Sequence, residues 1–528
     1  MSELESSLHL YQPSLFRGAS NTWKKFFVDA VKDCGDKLTW DVSAIVSILS
    51  FDYSCGDRTL FKELRRSPWL SKIESDNSVS YEMPPEHNTL WLDKKEIAST
   101  LINLLTSEAQ KVCQGREEIY LLLSGGLDSR IVAGILSKLY KKGLLSARPV
   151  AVTWGMENSR DVAYGRAAAD MLGFDWQHVD LSLDTVKNNI EEMTLLSGGL
   201  VSPIHFHAMG WFKNVSKDAL VLAGSYGDSI GRAEYSGKNI LELDYLKPFN
   251  LFGLLRKDIF NVASKCLTND LKQFHQRFGL KNKYILCEYE QQGHYMRGMI
   301  GHAMNVINDS CSLYQMFSDP EVYGCMWSIH PALRTNQIYA IAFEMLDYNL
   351  ARLPWARTNR ALSGPTSDAS KLLRPEFHAY TQWISGPLFK MIDEYVDPDW
   401  FSRQIGFNKQ AVDKLRYLVS GDPDGSSAFG RLPHEKWVWL ASLRILDQHL
   451  KQLKVNVKGA VEYTETLNVS EDKHSLTFKA LAKNLLIKIK PLYSLVKSCR
   501  NKLCKLRRLW LMHRAKYLYP PKYVQKNN

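Results

Sequence analysis

The segment EEIYLLLSGGLDSRIVAGIL, Glu117–Leu136, limits the possible folds more than any other stretch of the chain. Glu118–Leu123 is an apolar run of strand length, and over 130–142 Ile131, Ile135 and Leu139 recur every four residues, as one face of a helix requires. The same alternation continues downstream. ARPVAVTWG (147–155) reads as a second strand, and Asp161–Leu172 as an alanine-rich helix closed by Gly173. WQHVDLS reads as a third strand, SLDTVKNNIEEMTLLSG as a helix capped by Ser182, and ALVLAG (219–224) as a fourth strand. Strands alternating with helices at this spacing need right-handed crossovers, so the expected class is α/β, with a parallel sheet covered on both faces.

The flanks differ. Residues 1–100 are more aromatic, are punctuated by turns such as YSCGDRT, and are expected to form a small separate module. A larger domain is expected over 101–465, mostly helical from about 285, followed by a basic amphipathic tail over 466–528. The formal charge of +11 belongs to that tail: 473–528 holds 15 Lys or Arg and no Asp or Glu, leaving the remainder at −4. Leu481, Leu485, Ile489 and Leu492 recur there at helical spacing among the cations, with Pro491 as an interruption, which suits either a peripheral contact with anionic lipid or a helix packed on the body. The body lacks the positive stripe a nucleic-acid backbone would need, so nucleic acid is not an expected partner. The nine cysteines are scattered without metal-type spacing, and no apolar run is long enough to span a membrane; a cytoplasmic location, with possible contact at the inner membrane face, is expected.

Ser124-Gly125-Gly126-Leu127-Asp128-Ser129, between strand and helix, leaves backbone N–H groups at the positive end of that helix, where they attract an anion. The glycines allow close approach and the two hydroxyls add donors. Asp128 would repel a phosphate unless Mg²⁺ lay between them, so the loop implies a Mg²⁺-bound polyphosphate. The pattern GxxxxGK[ST] is absent.

SGGLDS resembles the signature of the pyrophosphate-loop ATP enzymes, and the surrounding segments resemble asparagine synthetases among them. AIVSILSFDYSCGDRTLFKELRR (44–66) is similar to the end of that family's glutaminase domain, LVLAGSYGDSIG (220–231) to its second loop, YQMFSDPEV (314–322) to its PFxD segment and LARLPWARTN (350–359) to its late proline turn. The resemblance implies an amide-bond ligase that adenylates a carboxylate, releases pyrophosphate and passes the acyl group to ammonia or an amine. It implies that Ser124, Gly125, Gly126, Asp128 and Ser129 cradle the pyrophosphate of ATP, that Asp128 and Asp228 share Mg²⁺, and that Leu122, Thr153 and Gly224 line the adenosine pocket. Tyr226 is the candidate for assisting amine deprotonation, by analogy with the β-lactam synthetases, from whose pattern it is offset by one position.

The departures from the family are several. Residue 2 is Ser and the first Cys is Cys34, so the front module is expected to be a glutaminase remnant that does not hydrolyse glutamine; a truncated start is the rival explanation. Ser225 and Ser229 replace acids of the second loop, and the family's late lysine has no evident counterpart; Arg357 is a candidate by charge alone. His205 and His207 suit packing better than metal binding. Arg232 and Glu234 suit a mutual pair or substrate contact, and Arg297 and His302 are expected to face the same cleft. Three readings follow: an ATP-dependent ligase for a small-molecule, glycan or peptide carboxylate; a nucleic-acid-modifying enzyme sharing the loop; and a nucleotide-binding homologue without catalysis.

Overall fold

The alternating runs form five short parallel strands: β1 (Ile119–Leu122), β2 (Val150–Gly155), β3 (Asp175–Asp180), β4 (Leu220–Ala223) and β5 (Ser312–Gln315), in the order β5-β4-β1-β2-β3. The computed structural model describes residues 8–235, 238–363, 372–422, 425–426 and 429–460; the basic tail read from the sequence at 473–528 lies outside them. All four strand pairings are parallel. Every residue of β4 is buried, so both faces of the sheet centre are covered, as the continuous apolar run LVLA requires.

The crossovers are α1 (Asp128–Lys141), α2 (Arg160–Leu172) and α3 (Leu183–Ser197). Their ends follow local chemistry. Ser159 accepts from the Val162 N–H at the start of α2, and Gly173 closes that helix at φ 76°. Ser182 and Thr185 form a reciprocal capping box for α3, which ends at Gly198 with φ 61°. Helix α1 begins at Asp128, two residues before its apolar periodicity starts, and no side chain caps it. Its first turn therefore presents backbone donors to whatever lies beyond.

Strand β5 was not foreseen, because four residues leaving a helical stretch carry too little periodicity. It pairs with β4 and leads to Asp319, which caps the helix Pro320–Ser328. The strand order has one consequence for function. From β1 the chain winds outward through β2 and β3, then returns to place β4 on the other side of β1. Such a reversal opens a crevice at the carboxyl ends of β1 and β4, the favoured ligand position in open parallel sheets.

Buried hydrophobic residues form two clusters. One surrounds the sheet and includes Leu10, Tyr11, Trp69 and Leu70 from the front of the chain. The second joins Phe16–Leu64 to α3 residues Val186 and Ile190 and to the helices from Tyr380 to Leu450. Trp154 at the end of β2, Val179 of β3 and Tyr295 pack against both. Tyr295 belongs to an eleven-residue π-helix, Gln291–Gly301, a wide-turn form that is rare beyond a single turn and recurs at functional sites.

Candidate active site

The two loops that leave β1 and β4 meet in that crevice at van der Waals distance. A Cβ on Gly224 would lie 2.9 Å from the Asp128 carbonyl carbon and from the Ser129 nitrogen. One on Gly227 would lie 2.7 Å from both Cβ and Oδ1 of Asp128. Only glycine lets the second loop, which continues into the short helix α4 (Gly227–Ile230), sit this close to the start of α1.

Contact of this kind brings two acids together from positions 100 residues apart in number. Asp128 is held by Arg232, which donates from Nη2 to Oδ2 at 2.8 Å and from Nε to Oδ1 at 3.1 Å. The same guanidinium donates to Glu234 and to Asn336, both at 3.0 Å, and lies over the rings of Tyr339 and Trp355. Asp228 has no such clamp. Burial, and then the charge of Asp128, push its carboxyl up to about 7, with Arg232 and Arg357 offsetting part of the rise. Arg357, half exposed, stacks on Trp355 and reaches Glu234 at 3.9 Å.

The first loop is tied from within and from behind. Ser129 Oγ accepts from the Ser124 N–H at 3.2 Å, and Ser124 Oγ accepts from the Gly126 N–H at 3.1 Å. Behind the loop, buried Arg130 donates to the carbonyls of Gly125 (3.1 Å), Leu353 (2.8 Å) and Pro354 (2.9 Å), so a single guanidinium joins the glycine loop to the proline turn. The Gly125 N–H donates to Asp161, whose carboxyl burial pushes up to about 6 against that hydrogen bond and the charge of Arg130. A Cβ on Gly125 would meet Ala356 at 2.7 Å.

The other expected residues occupy distinct positions. Leu122 ends β1, and Thr153, on β2, donates to the Leu123 carbonyl at 2.6 Å while accepting from the Trp176 indole at 3.1 Å. Tyr226 is buried against Tyr11, its hydroxyl without a partner, and burial pushes its phenol well up. Ser225 donates to Met304 Sδ and Ser229 to the Tyr226 carbonyl. His205 bonds Glu435 at 2.6 Å, and His207 bonds the Tyr380 hydroxyl at 2.7 Å. Arg297 and His302, expected in the same cleft, are engaged elsewhere: Arg297 donates to the Gly56 carbonyl and His302 bonds the Ser197 carbonyl.

Sequence reasoning missed the Arg232–Asp128 clamp, the Arg130 tie and the buried network beyond them. Glu435 lies on the long helix Leu432–Gln452; although burial would raise its carboxyl, His205, Lys436 and Arg431 hold it down at about 2. Lys436 is buried too, donating to Asp52 and to the Ile48 carbonyl. Burial, then Tyr295 and the charges of Asp52 and Asp228, push the Tyr235 phenol up. Arg130 did carry a signal, since an arginine on the apolar side of a buried helix must find acceptors. Arg232 carried only its nearness to the second loop.

Among the described residues no group of three His, Cys, Asp or Glu side chains forms a metal cage. The donor set nevertheless suits Mg²⁺, which is commonly held by one or two carboxylates completed by substrate phosphates. Asp128 and Asp228 are hard oxygen donors close enough to disfavour joint ionisation, and a divalent cation between them would relieve that repulsion.

Residues 101–234 match the family model for asparagine synthase. The glutamine-hydrolysing asparagine synthetase of Gallus gallus is 27% identical over 139 residues, which cover 25% of this chain and 25% of that protein. The chain thus matches about a quarter of the length of this curated relative. Among solved structures, the U34-tRNA thiolase NcsA from Methanococcus maripaludis, with its 4Fe-4S cluster, is 12% identical, covering 51% of this chain and 86% of its own, with a TM-score of 0.22. NMN synthetase from Francisella tularensis is 14% identical, covering 42% of this chain and 95% of its own, with a TM-score of 0.18. The region that matches the family model holds both the glycine loop and the loop after β4.

Proposed function

We propose that this chain, with its asparagine synthase region, is an ATP-dependent amide-bond ligase that forms AMP and pyrophosphate. A single observation carries the reading: Asp128 and Asp228 meet beneath the uncapped start of α1, in the crevice where the strand order reverses. A bare pair of acids there gains nothing from proximity. A pair that faces a cation-bound polyphosphate does, because pyrophosphate departs readily only when its charge is compensated.

In this reading a substrate carboxylate oxygen attacks the α-phosphorus of ATP. The bond from that phosphorus to the bridging oxygen breaks, and pyrophosphate leaves with the electron pair. An amine or ammonia then attacks the acyl carbon, AMP leaves, and the nitrogen gives up a proton. Ser124, Gly125, Gly126 and Ser129 hold the pyrophosphate through backbone N–H groups and hydroxyls. Arg357 stands beside Asp228 as a cation for negative charge that shifts during transfer. Arg232 fixes the direction of the Asp128 carboxylate, and Arg130 fixes the loop itself. Mg²⁺, held by Asp128 and Asp228, would supply charge neutralisation. The buried fold of the crevice serves positioning, which accounts for much of the rate in reactions of this type.

The test is pyrophosphate–ATP exchange in the presence of Mg²⁺ across a panel of small-molecule, glycan and peptide carboxylates. Exchange that depends on one class of carboxylate is expected. Formation of ADP and orthophosphate in place of AMP and pyrophosphate overturns the reading.

A further inference from the structure

A second cavity, of ≈ 300 Å³, lies between the Gly56–Arg58 turn and the π-helix, and no residue of either loop lines it. Its walls include Arg58, Arg65, Arg277 and Arg297. Arg66 stands behind, donating to the Ser54 and Gly56 carbonyls. The carboxylates among these arginines are Asp41, Asp57 and Asp270, and they are unevenly shared. Arg58 takes Asp41 at 2.7 Å and Asp270 at 2.5 Å, Arg65 lies 3.5 Å from Asp41, and Arg297 lies 3.4 Å from Asp57. Arg277 donates only to the carbonyls of Trp69, Leu70 and Glu82, and Arg66 only to carbonyls. The group thus holds more cations than anions around one space.

An independent observation concerns His294, on the same π-helix and in the same wall. Its Nδ1 accepts from the Gly56 N–H at 3.1 Å, so in the neutral ring the proton sits on Nε2. Burial and the nearby cations keep that ring neutral, pushing it down to about 3. Among the described residues Nε2–H therefore has no acceptor, nor do Nε of Arg277 and Nε and Nη1 of Arg66, and all four are buried. Buried donors without acceptors are costly, and surplus buried guanidinium charge is costlier still. The charge cost falls if an anion with several acceptor oxygens enters the space that Arg58, Arg65, Arg277 and Arg297 line.

We propose that this cavity is a second ligand site, selective for a phosphate group carried either as inorganic phosphate or as a monoester of a small molecule. Arginine forks match the tetrahedral oxygens of phosphate, and the excess of cations favours a dianion over a single carboxylate. A liquid water takes about 30 Å³, so the space exceeds what bare phosphate needs and leaves room for an ester group.

The experiment is calorimetric titration of the full chain with inorganic phosphate and, separately, glycerol 3-phosphate, with chloride and sulfate as ionic controls. Three variants accompany it. Arg277→Gln removes a cation without a carboxylate partner. Gln273→Glu adds a negative charge at an exposed lining position and keeps the fold testable if the first variant fails to fold. Ser124→Ala reports on the glycine loop. Saturable binding of either phosphate compound, weakened at least ~10-fold by Gln273→Glu and retained in Ser124→Ala, is the expected result. Tighter binding of the ester identifies it as the better occupant. Absence of saturable binding in the wild type overturns the proposal. So does binding unchanged by Gln273→Glu, or weakened only by Ser124→Ala, which would seat the phosphate in the glycine loop.

Discussion

The loop after β1 and the loop after β4 deliver one aspartate each to the same crevice, yet the two acids live under different rules. Asp128 stands at the first turn of a fourteen-residue helix and accepts a bidentate fork from Arg232. Asp228 stands on a four-residue helix, without a clamp of its own, and its carboxyl is pushed up to about 7 by burial and by its neighbour's charge. One acid is held by a paired guanidinium, while the other is left buried with its carboxyl pushed upward. The contrast teaches that neighbouring acids need an asymmetry: burial and the charge of the clamped acid disfavour ionisation of the other.

Replacing Asp128 should have the largest effect. Asp128→Asn is expected to cut pyrophosphate–ATP exchange by at least ~10²-fold and to cost ~1.5–3 kcal/mol of stability, since Arg232 loses one of its two carboxylate partners; exchange assays and denaturant titration measure the two. A variant as stable as the wild type would break the comparison. Next comes Gly227→Ala, whose Cβ would fall 2.7 Å from Asp128 and push the loops apart. A displacement of about 1 Å at such a site costs ~10²-fold, so exchange should fall by roughly that factor while Asp128 keeps its clamp.

A pH experiment sharpens the contrast further. Asp228 holds its proton to about 7 in the folded protein but releases it near 3.8 when unfolded. Between those values the unfolded chain binds fewer protons at this group, so its contribution to stability falls as pH rises and then levels off above about 7. Thermal melts of the wild type and of Asp228→Asn should therefore diverge in favour of the variant from pH 4 to 7, and Mg²⁺-ATP should narrow the gap. Ser124→Ala is the smallest perturbation. Losing the acceptor for the Gly126 N–H should cost about 1 kcal/mol and raise the apparent KM for ATP with little change in kcat, measured by steady-state kinetics.

Much of the parallel-sheet region was legible because its signals are local. Gly173 and Gly198 stop their helices at positive φ, Ser159 and Ser182 start theirs, and the glycine loop sits between an apolar run and a helical face. The fifth strand was not legible, since four residues after a helix carry no distinguishing period. Nor was the use of the charged residues. Arg297 and His302 lie close in sequence to nothing that would reveal whether they serve the acid pair or another wall, and the fold sends them to the Gly56 and Ser197 carbonyls. Glu435 and Lys436 stand next to each other on one helix yet take partners more than 200 residues away, His205 and Asp52.

By itself, the sequence settled the α/β alternation and offered the start of α1, with Asp128, as an anion-attracting candidate, because backbone geometry, helix ends and periodic burial act over a few residues; Asp228 entered only through the resemblance of its loop to a family pattern. Only the tertiary structure decided which loop meets which, that Arg232 holds Asp128, and that four arginines line a separate cavity. Charge acts through space over several ångströms, and chain order says little about which charges the folded core will leave facing one another.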